Sequence, residues 1–255
     1  MNIRHVFYEI PMYKRKLLIL LTTFLQLIVF NVAANNLRAS LAKMPVHALS
    51  AEEGIQVNLV KAISAVSGHS ISIDVYPFAR SIDNVINNRA DFHIPLIKND
   101  IIPVDALPYA YSSETIFQVN FVLYTRKTSK VNNKNLSNYK VETDRAHIDY
   151  FPFQVFPSNS IEQSLKRLNH GMIDAYIFAD TATDPLLLQL GYKNIRRDLY
   201  KTFDVKIIIS KSEHGKYIDN ELSKAIKKLK STGELKTIEE SVNLPYKNWQ
   251  PYNDQ

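Results

Sequence analysis

The chain has 255 residues, 45% apolar and 22% charged, which is ordinary globular composition with length for one or two domains and a sizeable core. Cysteine is absent, which excludes disulfides, thiolate metal sites, a cysteine nucleophile and a lipid on an N-terminal cysteine. The formal net charge is +6, but residues 1–34 carry Arg4, Lys14, Arg15, Lys16 and Glu9. Without them, the 31 basic and 25 acidic residues become 27 and 24, an unremarkable net of +3 that is poor evidence for nucleic acid, and no nucleic-acid partner is expected.

Those first 34 residues read as a secretory leader. "YKRK" (Tyr13–Lys16) is a basic cluster, "LLILLTTFLQLIVF" (Leu17–Phe30) an uncharged apolar run, and Val32 and Ala34 are small residues before a cut near Ala34–Asn35. The apolar run is short for a membrane span, which needs about 20 residues. Export to the periplasm is the expectation, and Met12 offers a second possible start.

From Asn36 onward, strands and helices alternate. "NLRASLA" predicts a strand, and "GIQVNLVKAISAVSG" (Gly54–Gly68) a helix with Ile55, Leu59, Ile63 and Val66 on one face and Gly68 as its stop. Ser70–Val75 alternates as a strand, Arg80–Asn88 has helical spacing, and Phe92–Ile97 is apolar and strand-like. "SIEQSLKRLNHGMIDAYIF", from Ser160, repeats the pattern of "SIDNVINNRADFHIPLI", from Ser81: Ser-Ile-acidic, a helix, then an aspartate entering a strand. Ser160 and Gln163 fit a capping box.

"IFQVNFVLYTRK" (Ile116–Lys127) and "TFDVKIIISK" (Thr202–Lys211) are strand-like and too apolar for surface linkers. Crossing side by side, they would join two α/β lobes as a hinge: residues 35–118 with the return 208–255, and residues 119–207. "KAIKKLK" (Lys224–Lys230) reads as a solvated helix face, with Ile226 and Leu229 inward.

Taken in order, "GIQVNLVKAISAVSG", "YPFARSIDNVINNRADFHIPLI", "LPYAYSSETIFQVNFVLYT" and "HGMIDAYIFAD" resemble the family 3 periplasmic solute-binding proteins over residues 35–242. The resemblance implies an α/β two-lobe Venus-flytrap fold, a monomer without a cofactor, and a small polar solute, anionic or zwitterionic, passed to an inner-membrane ABC permease. Arg80, at a strand-to-helix corner with Tyr76 and Phe78 before it, is the candidate anion anchor, the rings supplying flat walls. Its alternative is a pair with Asp83 or Asp74. Lys98 ends the strand Phe92–Ile97 and is a second ligand candidate or a solvated lysine. Asp180 follows "AYIF", where the family's amino-acid binders often place an aspartate for an ammonium; alternatively it caps the next helix.

Two departures bear on the solute. "KNDIIPVDALPYAYSSE" lacks the arginine that grips an α-carboxylate in those binders, and "VETDRAHIDYF" (Val141–Phe151) replaces their Gly/Ser-rich anion loop. Enzyme readings are weaker. "SLAK" (Ser40–Lys43) lacks the Ser-Asp-Asn and Lys-Thr-Gly partners of penicillin-binding enzymes. Asp144, His147 and Asp149 have no second cluster to complete a metal site. A periplasmic dehydratase of the same fold would need a carboxylate such as Glu114 in the cleft, and Glu114 could equally cap a helix. A solute sensor for a membrane receptor is a third possibility.

Overall fold

The structure is a computed structural model, and it describes residues 36–248. The proposed leader and cleavage site lie outside the described residues. Strand β1 (Leu37–Ala42) leads to helix α1 (Ile55–Ser67), which stops where Gly68 turns left-handed at φ 75°. The chain continues through β2 (Ile71–Tyr76), α2 (Phe78–Ile86) and β3 (Phe92–Ile97). The long β4 (Ala110–Arg126) follows, then β5 (Val141–Asp144), a 3-10 turn over Arg145–Tyr150, and β6 (Phe156–Ser158). Next come α3 (Ile161–Asn169), β7 (Ala175–Ala179), α4 (Asp180–Leu190), the long β8 (Ile195–Ile209), α5 (Glu213–Thr232) and α6 (Glu234–Glu239).

Among the described residues all eight strands share one sheet, ordered β2-β1-β3-β8-β4-β7-β5-β6. At one end β1 pairs in parallel with β2 and β3; at the other β5 pairs in parallel with β6 and β7. Between them β4 and β8 run antiparallel through most of their length, from Ala110↔Ile209 to Arg126↔Ile195. The two parallel ends are the sheets of two lobes, and the β4–β8 ribbon is what joins them.

Burial follows the amphipathic patterns. β3 and β7 are buried at every position, as expected for parallel strands covered on both faces. On α5, Ile226 and Leu229 are buried while Lys224, Lys227, Lys228 and Lys230 are exposed. Ser160 caps α3, its hydroxyl accepting from the Gln163 backbone N–H at 3.3 Å. Among the described residues, no helix is long and apolar enough to cross a membrane.

Three elements start at least two residues earlier than expected. α2 begins at Phe78 rather than Arg80, because Pro77 supplies the extended residue before it at φ −50°. β4 reaches back to Ala110 through register shifts at Tyr111–Phe117, and β8 starts at Ile195, its polar "RRD" continuing the ladder. Ser40 lies inside β1, hydrogen-bonded to Ser81 at 2.9 Å, so "SLAK" does not open a helix.

Candidate functional site

A cleft of about 550 Å³ lies where the loops after β1, β2 and β5 meet the start of α3. Lys43 comes from the first loop, Phe78 from the second, Asp144 and Arg145 from the third, and Ser160 and Glu162 from α3. Such a crevice beyond the carboxyl ends of parallel strands, with a helix N-terminus in its wall, is where α/β sheets bind ligands. The Arg145 Nε donates to Asn159 Oδ1 at 2.8 Å, holding the exposed guanidinium at the rim of α3. Asp144 accepts from the Ala146 backbone N–H at 2.8 Å, which orients the turn carrying Arg145.

Below the cleft is a small apolar void of about 30 Å³, the share of one water, lined by Met44, His47, Phe121 and His147. Phe78 and Phe178 line both spaces. The two sides of the molecule meet beside this void, at His47 and Thr181, and at a separate hollow lined by Asn99, Tyr109, Asp149 and Tyr150. His47 Nε2 lies 2.7 Å from Thr181 Oγ1, Asn99 Nδ2 donates to the Asp149 carbonyl at 3.1 Å, and the Tyr150 hydroxyl lies 3.2 Å from that of Tyr109. Burial pushes the His47 pKa down to about 4 and raises Tyr150 well above the usual phenol range.

Arg80 is exposed, stacked over the Tyr76 ring at 5.3 Å, and does not line the cleft; Asp83 pairs with Arg89 instead. Tyr76 is half-buried beneath it, and Phe78 is buried at the base of the cleft. Lys98 is exposed, its backbone N–H donating to the Asp204 carbonyl at 2.8 Å. Glu114 lies against α5, 2.6 Å from Lys230 Nζ and 3.7 Å from Lys227. The hydrogen bond from Lys230 is the main cause of its lowered pKa.

Asp180 heads α4 but is fully buried, in a cluster the sequence does not announce. Arg197 on β8 lies 3.6 Å from the Asp180 carboxylate and 2.8 Å from that of Asp184. Asn120 donates to Asp180, Tyr124 to Asp184, and the Tyr246 ring covers the guanidinium at 4.5 Å. Burial raises the Asp180 pKa to about 6 and that of Asp184 to about 7, with Arg197 opposing both. Ser81 and His93 form a second buried set, Ser81 Oγ lying 2.6 Å from His93 Nδ1. Both are closed to solvent, so this pair is structural. Among the described residues, no cluster of three His, Asp or Glu side chains could hold a metal ion.

No protein-family model and no curated protein sequence matches the chain. Solved structures do. The ligand-binding core of GluR0 from Nostoc punctiforme, in complex with L-glutamate, aligns with a TM-score of 0.67 at 17% identity, covering 82% of this chain and 100% of that one. The arginine-, lysine-, histidine-binding protein ArtJ from Geobacillus stearothermophilus aligns at 0.66 and 13% identity, covering 82% and 95%. A histidine kinase sensor domain with similarity to periplasmic binding proteins aligns at 0.67 and 12% identity, covering 82% and 96%. The chain has the two-lobe periplasmic-binding-protein fold of type 2.

Proposed function

We propose that this chain is an exported solute-binding protein that captures a small anionic or zwitterionic solute between its lobes and passes it to an inner-membrane ABC importer. One observation carries the reading: the cleft of about 550 Å³ has a cation from each side, Lys43 after β1 and Arg145 after β5, together with the N-terminus of α3. A guanidinium beside a helix start suits a carboxylate or phosphate, and Asp144 and Glu162 can receive an amine. Residues 35–118 with 208–255 form the first lobe in this reading, 119–207 the second, and residues 1–34 the leader. The protein acts as a monomer.

A second reading keeps the solute and changes the listener. The likeness to a histidine kinase sensor domain favours a receptor that senses the occupied lobes. An enzyme of this fold is less favoured, since Glu114 is bound to Lys230 and Lys227 outside the cleft.

A thermal-shift screen of residues 35–255 against amino acids, organic acids, phosphates and amines tests the proposal. The expected result is a stabilising solute whose binding also lowers the radius of gyration in X-ray scattering. Finding no stabilising compound in any class would overturn the solute-binding reading.

A further inference from the structure

Besides β4 and β8, a third stretch of chain passes between the two ends of the sheet. Helix α6 packs on α1, which lies against β1 and β2, and its Leu235 is buried. Tyr246, in the 3-10 turn Tyr246–Asn248, then meets Arg197 on β8. Arg197 stands opposite Tyr124, where β4 also pairs with β7, so this contact belongs to the β5–β7 end. The Tyr246 hydroxyl donates to the Arg197 carbonyl at 2.9 Å, and Arg197 Nη1 donates to the Tyr246 carbonyl at 3.4 Å. The ring covers the guanidinium at 4.5 Å. Beneath it, Asp180 and Asp184 hold the buried Arg197 in place, so the anchor on this side is firm.

The connecting segment has little slack. Val242 and Asn243 donate their backbone N–H groups to the Glu239 carbonyl at 3.0 and 2.8 Å, which pins the chain to the end of α6. Only Leu244 and Pro245 lie between that pin and Tyr246. Proline locks its own φ and biases the residue before it to extended backbone, so the link cannot stretch far. From Asn243 to Tyr246 it spans at most about 11 Å.

Rotation of the lobes asks for more than that. The Asp204 carbonyl on β8 still accepts from Lys98, after β3, whereas β4 joins β7 from Phe121, opposite Lys201. The ribbon is therefore free to flex around Phe203, and Arg197 lies six residues farther on, a lever arm of about 20 Å. A rotation of about 10° moves Arg197 by about 3.5 Å, which is enough to break a hydrogen bond. Any rotation that carries Arg197 away from α6 loads the link at once. The same region is tied from another direction by His47 and Thr181, the residue after Asp180.

We propose that residues 240–248 form a strap that caps how far the lobes open, with Tyr246 as its buckle on Arg197. The strap leaves closure free and sets the width of the open state. A narrower open state lies nearer the closed one, so less of the solute's differential affinity is needed to shift the population. This rests on the two-lobe solute-binding reading and adds to it a limit on the solute-free state.

The test measures the separation of the lobes without solute, in residues 35–255. The chain has no cysteine, so Val66→Cys and Met172→Cys place one spin label on an exposed position of each lobe. Tyr246→Ala removes the buckle. Inserting Gly-Ser-Gly-Ser between Asn243 and Leu244 keeps the buckle and lengthens the strap by up to about 13 Å. Each change should lengthen the mean label distance by about 3.5 Å or more, the movement of a rotation of about 10° at that lever arm. An unchanged distance after the insertion would overturn the strap. Lengthening by Tyr246→Ala alone would overturn it too, since that reports damage around Arg197 and not release of a limit. Lengthening by the insertion alone would remove Tyr246 as the buckle and overturn the proposal as stated. Should Tyr246→Ala not fold, the insertion decides, because it leaves the contacts of Tyr246 in place. Failure here is separable from failure of the solute-binding reading. A stabilising solute with label distances unmoved by the insertion removes only the strap, whereas a longer distance in a chain that takes no solute removes only the transport role.

Discussion

His47 Nε2 and Thr181 Oγ1 lie 2.7 Å apart, joining the loop after β1 to the first turn of α4 across 134 residues of chain. Both side chains are buried, and His47 Nδ1 faces Gln56 Nε2 at 3.5 Å. Thr181→Val keeps the shape and removes the oxygen, leaving Nε2 unpaired. The expected loss is about 1–3 kcal/mol, a fall in Tm of about 2–4 °C per kcal/mol for a chain of this size.

The same histidine gives stability a pH dependence. Burial lowers its pKa from 6.5 to about 4, so the unfolded chain binds the extra proton first as pH falls. Its contribution is complete above pH 6.5 and is lost progressively between there and about 4. His47→Gln should therefore flatten the decline in Tm over that interval relative to the parent. An unchanged slope would mean that His47 does not titrate with unfolding.

Gly54 holds the loop that carries His47. Its φ is 138°, and an added Cβ would lie 2.2 Å from the His47 carbonyl oxygen. Gly54→Ala therefore combines a backbone conformation costing about 1–3 kcal/mol with a clash that must move the loop. Gly68→Ala is the control: its φ is 75°, and nothing lies within 4 Å of the added carbon. Urea unfolding should show Gly54→Ala as the more damaging of the two. Equal losses would mean that the close approach to His47 does not matter.

Among the described residues, Arg197 is the one cation facing two buried acids, and this makes its loss unlike theirs. Arg197→Met strands the Asp180 and Asp184 carboxylates, with an expected cost of about 3–5 kcal/mol. Both acids have raised folded pKa values, so their stabilising protonation is complete below 3.8 and is lost as pH rises through about 6 and 7. Without the guanidinium those values rise further, and the variant's deficit should grow from pH 5 to pH 8. Asp184→Asn keeps an acceptor for Tyr124 and leaves one acid for one cation, so a cost under about 1.5 kcal/mol is expected. Comparable losses for the two variants would contradict a cluster with one acid in excess.

Much of the scaffold was legible because burial leaves a period in the sequence. β3 matches its expected Phe92–Ile97 at both ends, α1 stops at Gly68, and Ser160 caps α3 as its spacing to Gln163 implies. The cleft was less legible, since its polar groups follow no period. "VETDRAHIDYF" lacks the Gly/Ser pattern of an anion loop, yet its Arg145 lines the cleft and its His147 is buried among rings. Arg197 stands in the polar run "IRRDLYK", and only the β4–β8 register, Tyr124↔Arg197, brings it to Asp184. The helix at the Arg80 corner starts two residues earlier than the spacing implies. Arg80 stands in the first turn of α2 and stacks on Tyr76.

That shift sets two arginines against each other. Arg145 lines the cleft, anchored at Nε by Asn159, and among the described residues no hydrogen bond or ion pair takes up its terminal nitrogens. Arg80 lies outside that lining, over Tyr76. If the solute's anionic group is held in the cleft, Arg145→Ala should weaken its binding by roughly tenfold to a few hundredfold, the equivalent of about 1.5–3 kcal/mol. Arg145→Lys should recover part of this, because an ammonium lacks the planar fork. Arg80→Ala should leave affinity within about fivefold, as an exposed charge contributes less than about 1 kcal/mol. Calorimetric titration of the three variants with the solute from the screen decides between them. A large loss at Arg80 with none at Arg145 would move the anion site from the start of α3 to the first turn of α2.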